Sequence, residues 1–131
     1  MIKGIVHNNR PLISLIIGWK LGVQEIIALV DTGFTGELKI SQDKAVELGL
    51  ETTHTEPVKL ADENIVNMEA SLAIVSMEGA VNVVDVLIAK GMPIIGVGLM
   101  RRFGYALNID LKYFLPSLPF RGRKPLLNPS N

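Results

Sequence analysis

Apolar residues along the chain fall into short runs whose length and composition predict β-strands. Residues 11–20 and 23–30 are two such runs, separated only by Leu21 and Gly22, which is typical of a hairpin with a glycine turn. The remaining predicted strands are residues 37–40, 56–60, 65–77, 81–89 and 105–110. Residues 56–60 and 65–77 form a second predicted hairpin around the polar tip 61–64. The pattern therefore predicts an all-β fold.

Two short helices interrupt this pattern. Ser41 is a favourable N-cap for a helix over residues 42–48, and Gly49 is a favourable stop. A second helix of one or two turns is predicted after Gly96 and Gly98, ending at Gly104.

The length of 131 residues fits a single domain, which we assign to residues 1–115. Within it, residues 111–115 could add an edge strand. The tail, residues 116–131, contains several prolines and basic residues, and we expect irregular chain there.

Composition narrows the class of protein further. Apolar residues make up 48% of the chain but aromatic residues only 5%, so the core must be aliphatic. Thirteen basic and thirteen acidic residues cancel, which argues against a nucleic-acid partner. No apolar run is long enough to span a membrane. Because cysteine and a signal-peptide pattern are both absent, we expect a cytoplasmic protein, and the high mean hydropathy suggests that a second subunit covers apolar surface.

The stretch LVDTGFTG, residues 29–36, carries the candidate chemistry. Asp31 follows an apolar strand and precedes Gly33, a setting in which a carboxylate is exposed at a sharp turn. One interpretation is an Asx turn without further function. The other is a catalytic carboxylate, which in aspartic proteases works only beside a second one. The Asp-Thr-Gly tripeptide occurs once, so a two-fold dimer would have to supply the pair.

A second motif gives this chain its resemblance to a known family. Ile94, Ile95 and Gly96 come before the second predicted helix, and the hairpin around residues 61–64 lies between them and Asp31. In this order of elements the chain resembles the retropepsin-like (clan AA) aspartic proteases, of the prokaryotic single-domain type. The resemblance implies a small closed β-barrel of the acid protease type, with one or two short helices, that acts as a homodimer.

The resemblance also implies roles for individual residues. Asp31 would be the catalytic carboxylate that activates a water molecule, shared with its symmetry mate. Thr32 would form hydrogen bonds across the dimer axis, Gly33 would let the substrate backbone approach, and Gly96 would pack behind the active-site turn.

Substrate would contact both walls of the site. Phe34 and Ile94 would line it from the two motifs, and Ala61 and Asp62 from the tip of the hairpin, which would act as a flap.

Three departures from the family pattern are visible. Phe34 replaces the small residue that usually follows Asp-Thr-Gly. Thr35 and Val97 stand where retroviral members have an acidic residue and an arginine that pair with each other. The predicted flap tip, residues 61–64, lacks glycine. The joint loss of the two charges suggests a different interface.

Neither histidine is part of a recognisable metal site. His7 and His54 lie in polar surroundings away from both motifs, so we expect surface residues, no metal and no cofactor. The sequence thus predicts a homodimeric aspartic endopeptidase that hydrolyses peptides or proteins. Two alternatives remain: the same dimeric fold as an inactive peptide-binding module, and an unrelated small β domain in which Asp31 only makes a turn.

Overall fold

The computed structural model describes residues 2–59, 62–108 and 118–122, and for the last range the backbone alone. In these ranges the chain forms ten strands and two helices. In chain order they are β1 (Ile2–His7), β2 (Arg10–Trp19), β3 (Gly22–Val30), β4 (Leu38–Ile40), α1 (Gln42–Leu48), β5 (His54–Lys59), β6 (Ile65–Met77), β7 (Ala80–Ile88), β8 (Ile94–Ile95), α2 (Val97–Phe103), β9 (Tyr105–Leu107) and β10 (Leu118–Gly122).

The sheet closes on itself to form a barrel. Its strand order is β5-β6-β7-β4-β8-β3-β2-β1-β10-β9, and β6 also pairs with β2. This extra pairing joins Ile16 to Ser76 and Gly18 to Ile74. It closes a ring of six strands in the order β6-β7-β4-β8-β3-β2. Closure leaves no free edge within the ring. The prediction of an all-β fold built on a small closed barrel with two short helices is confirmed.

The first strand of the fold, β1, was not predicted from the sequence. β1 pairs with β2 through a two-residue turn at Asn8 and Asn9, whose φ angles are 50° and 60°. Such a turn needs a positive φ at both central residues, and asparagine tolerates this better than most residues. The Asn-Asn pair was therefore the signal for this hairpin.

The β2–β3 hairpin was predicted, but its turn lies one residue earlier than expected. Trp19 pairs with Gly22, so Lys20 and Leu21 form the turn and the glycine belongs to the strand. Between β6 and β7 the turn residues Glu78 and Gly79 have positive φ values of 51° and 80°, which fit the right-handed twist of adjoining strands.

Helix α1 spans the predicted residues, and α2 ends before Gly104 as predicted but begins at Val97, ahead of Gly98. The Ser41 hydroxyl accepts a hydrogen bond from the Lys44 amide at 3.2 Å, and Gly49 ends the helix in the left-handed conformation. Gly96 precedes α2 without a side-chain capping hydrogen bond, and Gly104 ends that helix in the left-handed conformation. Each helix has seven residues, and in the described part of the chain no helix could cross a membrane.

Part of the tail departs from the expectation of irregular chain. Within residues 116–131, the segment 118–122 forms β10, which pairs with β1 on one side and β9 on the other. The edges of β1 and β9 supply backbone hydrogen-bond partners for this segment. Composition gives no information about such partners, so the strand was not predicted. The edge strand predicted over residues 111–115 lies outside the described residues.

Aliphatic side chains fill the barrel, as the composition predicts. The largest of those that are fully buried are Ile13, Ile17, Leu38, Ile40, Leu48, Ile95 and Leu99. Strands β4 and β8 place Leu38 and Ile95 directly beside each other, so the core extends to the end of the barrel where Asp31 lies.

Ile17 and Ile16 offer a matched test of this core. Ile17 is completely buried whereas Ile16, next to it on β2, is 43% exposed. We expect Ile17→Ala to lower the free energy of unfolding by about 3 kcal/mol, because it leaves a cavity, and Ile16→Ala by less than about 1 kcal/mol. Urea denaturation at one protein concentration measures both. Equal losses would contradict the assignment of strand faces.

Candidate active site

Parallel pairing of β3 with β8 brings the two sequence motifs together. Leu29 lies opposite Ile94 and Val30 opposite Ile95. At the end of this ladder the Asp31 amide donates a hydrogen bond to the Ile95 carbonyl at 2.9 Å. The residue after the first strand is thereby fixed beside the second motif.

Backbone hydrogen bonds attach the segment after Asp-Thr-Gly, residues 34–37, to the start of α2. These bonds run from the Gly96 amide to the Glu37 carbonyl (3.0 Å), from the Val97 amide to the Phe34 carbonyl (2.9 Å), and from the Gly98 amide to the Gly36 carbonyl (3.0 Å). Three consecutive amides of one segment thus support the turn formed by the other.

This attachment depends on the absence of side chains at Gly96 and Gly98. A Cβ atom on Gly96 would overlap the Gly36 carbonyl oxygen and come within 2.5 Å of the Phe34 carbonyl oxygen. A Cβ atom on Gly98 would come within 2.8 Å of the Gly36 oxygen and 2.9 Å of the Thr35 oxygen. Real side chains do not approach backbone oxygens so closely, so glycine is required where the segments cross.

Asp31 lies half-buried at the resulting turn. Its Oδ1 accepts a hydrogen bond from the Gly33 amide at 2.9 Å, and its carbonyl accepts one from the Phe34 amide at 3.1 Å. The Asx turn that the sequence allowed is therefore present. Within the described part of the chain Oδ2 has no hydrogen-bond partner, so the turn orients the carboxylate and leaves one oxygen available.

A cleft of about 470 Å³ opens above this turn. It is lined by Asp31, Gly33, Phe34, Thr35, Lys39, Val58, Lys59, Met68, Leu87 and Ile94. Four of the predicted site residues thus share one cleft: Asp31, Gly33, Phe34 and Ile94. Thr32 is exposed beside the cleft, and Gly96 is buried behind the turn.

Phe34 lies across the glycines of the crossing segments. Its ring covers Gly36, where an added Cβ would lie 2.5 Å from the ring Cζ, and its Cδ2 would lie 2.7 Å from a Cβ on Gly96. The ring is half-buried, so one part packs on the glycines and another lines the cleft. This packing holds the ring to one side, and the cleft above Asp31 stays open.

The hairpin of β5 and β6 forms the opposite wall. Val58, Lys59 and Met68 reach the cleft from it. Asp62, which was predicted to contact substrate, instead turns back at the tip, where its carboxylate accepts hydrogen bonds from the amide (3.0 Å) and side chain (2.8 Å) of Asn64. Ala61, the other predicted contact of the tip, lies outside the described residues.

An ion pair between Glu37 and Arg102 was missed by the sequence analysis. The Glu37 carboxylate accepts hydrogen bonds from Nε of Arg102 on α2 and from the Asp85 amide, both at 2.8 Å, and Nη2 of Arg102 lies 2.7 Å from it in an ion pair. The pair joins the segment after Asp-Thr-Gly to the helix after Ile-Ile-Gly. It connects the same two segments as the retroviral pair that Thr35 and Val97 cannot form, through residues further along each segment.

Acidic groups gather around this pair. Burial raises the pKa of the Asp85 carboxyl, and the nearby carboxylates of Glu37 and Glu56 raise it further. His54, Glu56 and Asp85 each offer a ligand atom within 4.8 Å of the others, and Nε2 of His54 lies 2.9 Å from Glu56. None of these three residues lines the cleft, and we assign them no metal. His7 is exposed at the end of β1.

Solved structures share this fold. The chain superposes on EIAV protease complexed with the inhibitor HBY-793, with a TM-score of 0.60, 16% identity and coverage of 78% of this chain and 95% of the protease. It also superposes on a retropepsin-like aspartic protease from Rickettsia conorii, with a TM-score of 0.58, 18% identity and coverage of 92% and 89%. No family model and no curated protein sequence matches the chain. At this identity the likeness shows the fold, and the fold is retropepsin-like.

Gly96→Ala tests whether the segment crossing needs glycine. We expect it to destabilise the protein by about 3 kcal/mol, because the new methyl group would overlap two carbonyl oxygens. Gly22→Ala is the matched control, since nothing lies within 4 Å of a Cβ at that position. Thermal and urea denaturation report both effects. A Gly96→Ala protein as stable as the control would show that the crossing can relax at little cost.

A double-mutant cycle tests the Glu37–Arg102 pair. Glu37→Gln and Arg102→Gln should show a coupling energy of about 1 kcal/mol, because the Glu37 side chain is only 13% exposed and combines a charge-assisted hydrogen bond with an ion pair. The control cycle uses Lys44 and Glu47, an exposed pair on α1, for which we expect a smaller coupling energy. If the two cycles gave equal values, Glu37–Arg102 would be an ordinary surface pair.

Proposed function

We propose that this protein is an aspartic endopeptidase that works as a homodimer, with one Asp31 from each subunit. The observation that carries the proposal is the half-buried Asp31 carboxylate, oriented by the Gly33 amide at the base of an open cleft. Two findings support the proposal: the fold is retropepsin-like, and Asp31 and Ile94 line one cleft.

A dimer is proposed because one chain supplies too few carboxylates. Aspartic proteolysis needs two carboxyl groups that share a proton. Among the described residues that line the cleft, Asp31 alone is acidic. Thr32 and Gly33 are exposed at the turn, and the Thr32 hydroxyl has no partner in the described part of the chain. A second copy approaching along a two-fold axis through this turn would bring the second carboxylate.

The chemistry then follows from one ionised and one protonated carboxyl group. The ionised Asp31 removes a proton from a water molecule as the water oxygen attacks the peptide carbonyl carbon. The protonated Asp31 of the other subunit donates its proton to the carbonyl oxygen, which gives a neutral tetrahedral diol. The Asp31 that took the water proton then passes it to the amide nitrogen, while the other Asp31 removes a proton from a diol hydroxyl as the C–N bond breaks. The two carboxyl groups again share one proton.

The lining of the cleft favours an extended peptide as substrate. Phe34, Val58, Met68, Leu87 and Ile94 make most of its surface apolar. Such side chains contribute affinity through burial, while the Gly33 backbone at the floor leaves room for the peptide main chain to approach Asp31.

Asp31→Asn is the decisive variant. We expect it to reduce peptide cleavage by at least about a thousandfold, because an amide can neither accept the water proton nor share one. Asp43→Asn, an exposed aspartate of α1, is the matched control and should keep wild-type activity. Cleavage of an apolar peptide library from pH 4 to 7 is followed by mass spectrometry, and sedimentation equilibrium reports the dimer.

Three results would contradict the proposal in different ways. Wild-type cleavage by Asp31→Asn would remove the catalytic role of the carboxylate. A protein that stays monomeric at micromolar concentration would favour an unrelated small β domain. A dimer that cleaves nothing and binds no statine-type inhibitor, yet binds extended peptides, would be the inactive peptide-binding module.

A further inference from the structure

The cleft contains two lysines that the proposed reaction does not use. Lys39 on β4 and Lys59 at the end of β5 line it from opposite sides, and we call them the cleft lysines. Apart from Asp31, they are the charged residues among the described residues of the lining. The cleft is therefore apolar with two cationic positions, although the chain as a whole carries no net charge.

Lys39 is held in a defined position. Its strand neighbours are Leu87 on β7 and Ile94 on β8, and both line the cleft beside it. Its Nζ donates a hydrogen bond to the Lys90 carbonyl at 2.5 Å. An ammonium group has three N–H donors, so two remain. The result is a cation with one fixed hydrogen bond and an aliphatic residue on each side.

No carboxylate in the described part of the chain neutralises either of the cleft lysines. Arg102 and Lys44, in contrast, have acidic partners in Glu37 and Glu47. Partial burial lowers the pKa of the Lys39 ammonium. A bound carboxylate would supply the missing partner in a partly desolvated place, where charge-assisted hydrogen bonds are strongest.

We propose that the cleft selects peptides that carry an acidic side chain near the cleaved bond, with Lys39 as the main specificity-determining residue and Lys59 as a second contact at the rim. This inference rests on the proposed function for its reaction. Glutamate suits the subsite best, because its two methylene groups would lie against Leu87 and Ile94 while its carboxylate reaches Nζ of Lys39. In a two-fold dimer the preference would appear on both sides of the cleaved bond.

Matched peptides test the proposal without any variant. Apolar peptides of about ten residues carry a single Glu, Gln or Lys, placed in turn at each position around the cleavable bond. At the best position we expect kcat/KM to be about tenfold higher for Glu than for Gln, and lower for Lys than for Gln. The advantage should shrink as salt screens the charges. Equal values for Glu and Gln at every position would overturn the inference.

Lysine variants then test which residue causes the preference for Glu peptides over Gln peptides. Lys39→Met should bring the Glu and Gln peptides within about twofold of each other. Lys59→Met should reduce the preference less, because that side chain is exposed. Lys20→Met, an exposed lysine outside the cleft, is the matched control and should keep the full preference. A Lys39→Met enzyme that keeps it too would exclude Lys39 as the determinant.

Binding separates a failure of this inference from a failure of the proposed function. Fluorescence anisotropy with Asp31→Asn protein and labelled peptides measures affinity without cleavage. Tighter binding of the Glu peptide than of the Gln peptide, lost in the Asp31→Asn, Lys39→Met double variant, supports the acidic subsite even if the wild-type protein cleaves nothing. Equal binding of the two peptides would overturn the subsite even in an active protease.

Discussion

Backbone hydrogen bonds between residues 34–37 and the start of α2 are the interaction on which the candidate site depends. They tie the turn that carries Asp31 to a distant part of the chain, and they form because Gly96 and Gly98 let two backbones meet. With the parallel pairing of β3 and β8, they hold one carboxylate at the end of a closed barrel. A rigid main chain on both sides explains how an exposed turn can position a side chain for chemistry.

Charged side chains add to these backbone hydrogen bonds. Glu37 and Arg102 join the same two segments through their side chains. The Glu37 carboxylate also accepts a hydrogen bond from the Asp85 amide on β7. One carboxylate thus connects a loop, a helix and a strand. The cleft lysines differ from Arg102, because neither of them forms an ion pair with an acidic side chain of the described residues. Arg102, which joins two segments of the fold, is paired with Glu37, whereas the cleft lysines have no acidic partner among the described residues and line the cleft.

The sequence could predict the elements whose signals, such as a cap residue or a turn, lie within the element or next to it. The helix over residues 42–48 has its cap residue and its glycine stop, and the hairpin of β5 and β6 has two extended runs around a polar tip. β10 could not be predicted, because its partners β1 and β9 come from opposite ends of the chain. The Glu37–Arg102 pair was hidden for the same reason, since any of thirteen acidic residues could have met any of thirteen basic ones.

The sequence by itself determined the strand-rich character of the protein, its aliphatic core, the boundaries of α1 and the two motifs that mark the retropepsin-like fold. Tertiary structure alone decided that β6 returns to β2 and closes the barrel, and that the Asp31 amide meets the Ile95 carbonyl. It also decided that Phe34 packs on glycine and leaves the cleft open, and that Asp62 turns back to Asn64. Periodicity and capping act over a few residues, whereas these contacts depend on which distant backbones come together.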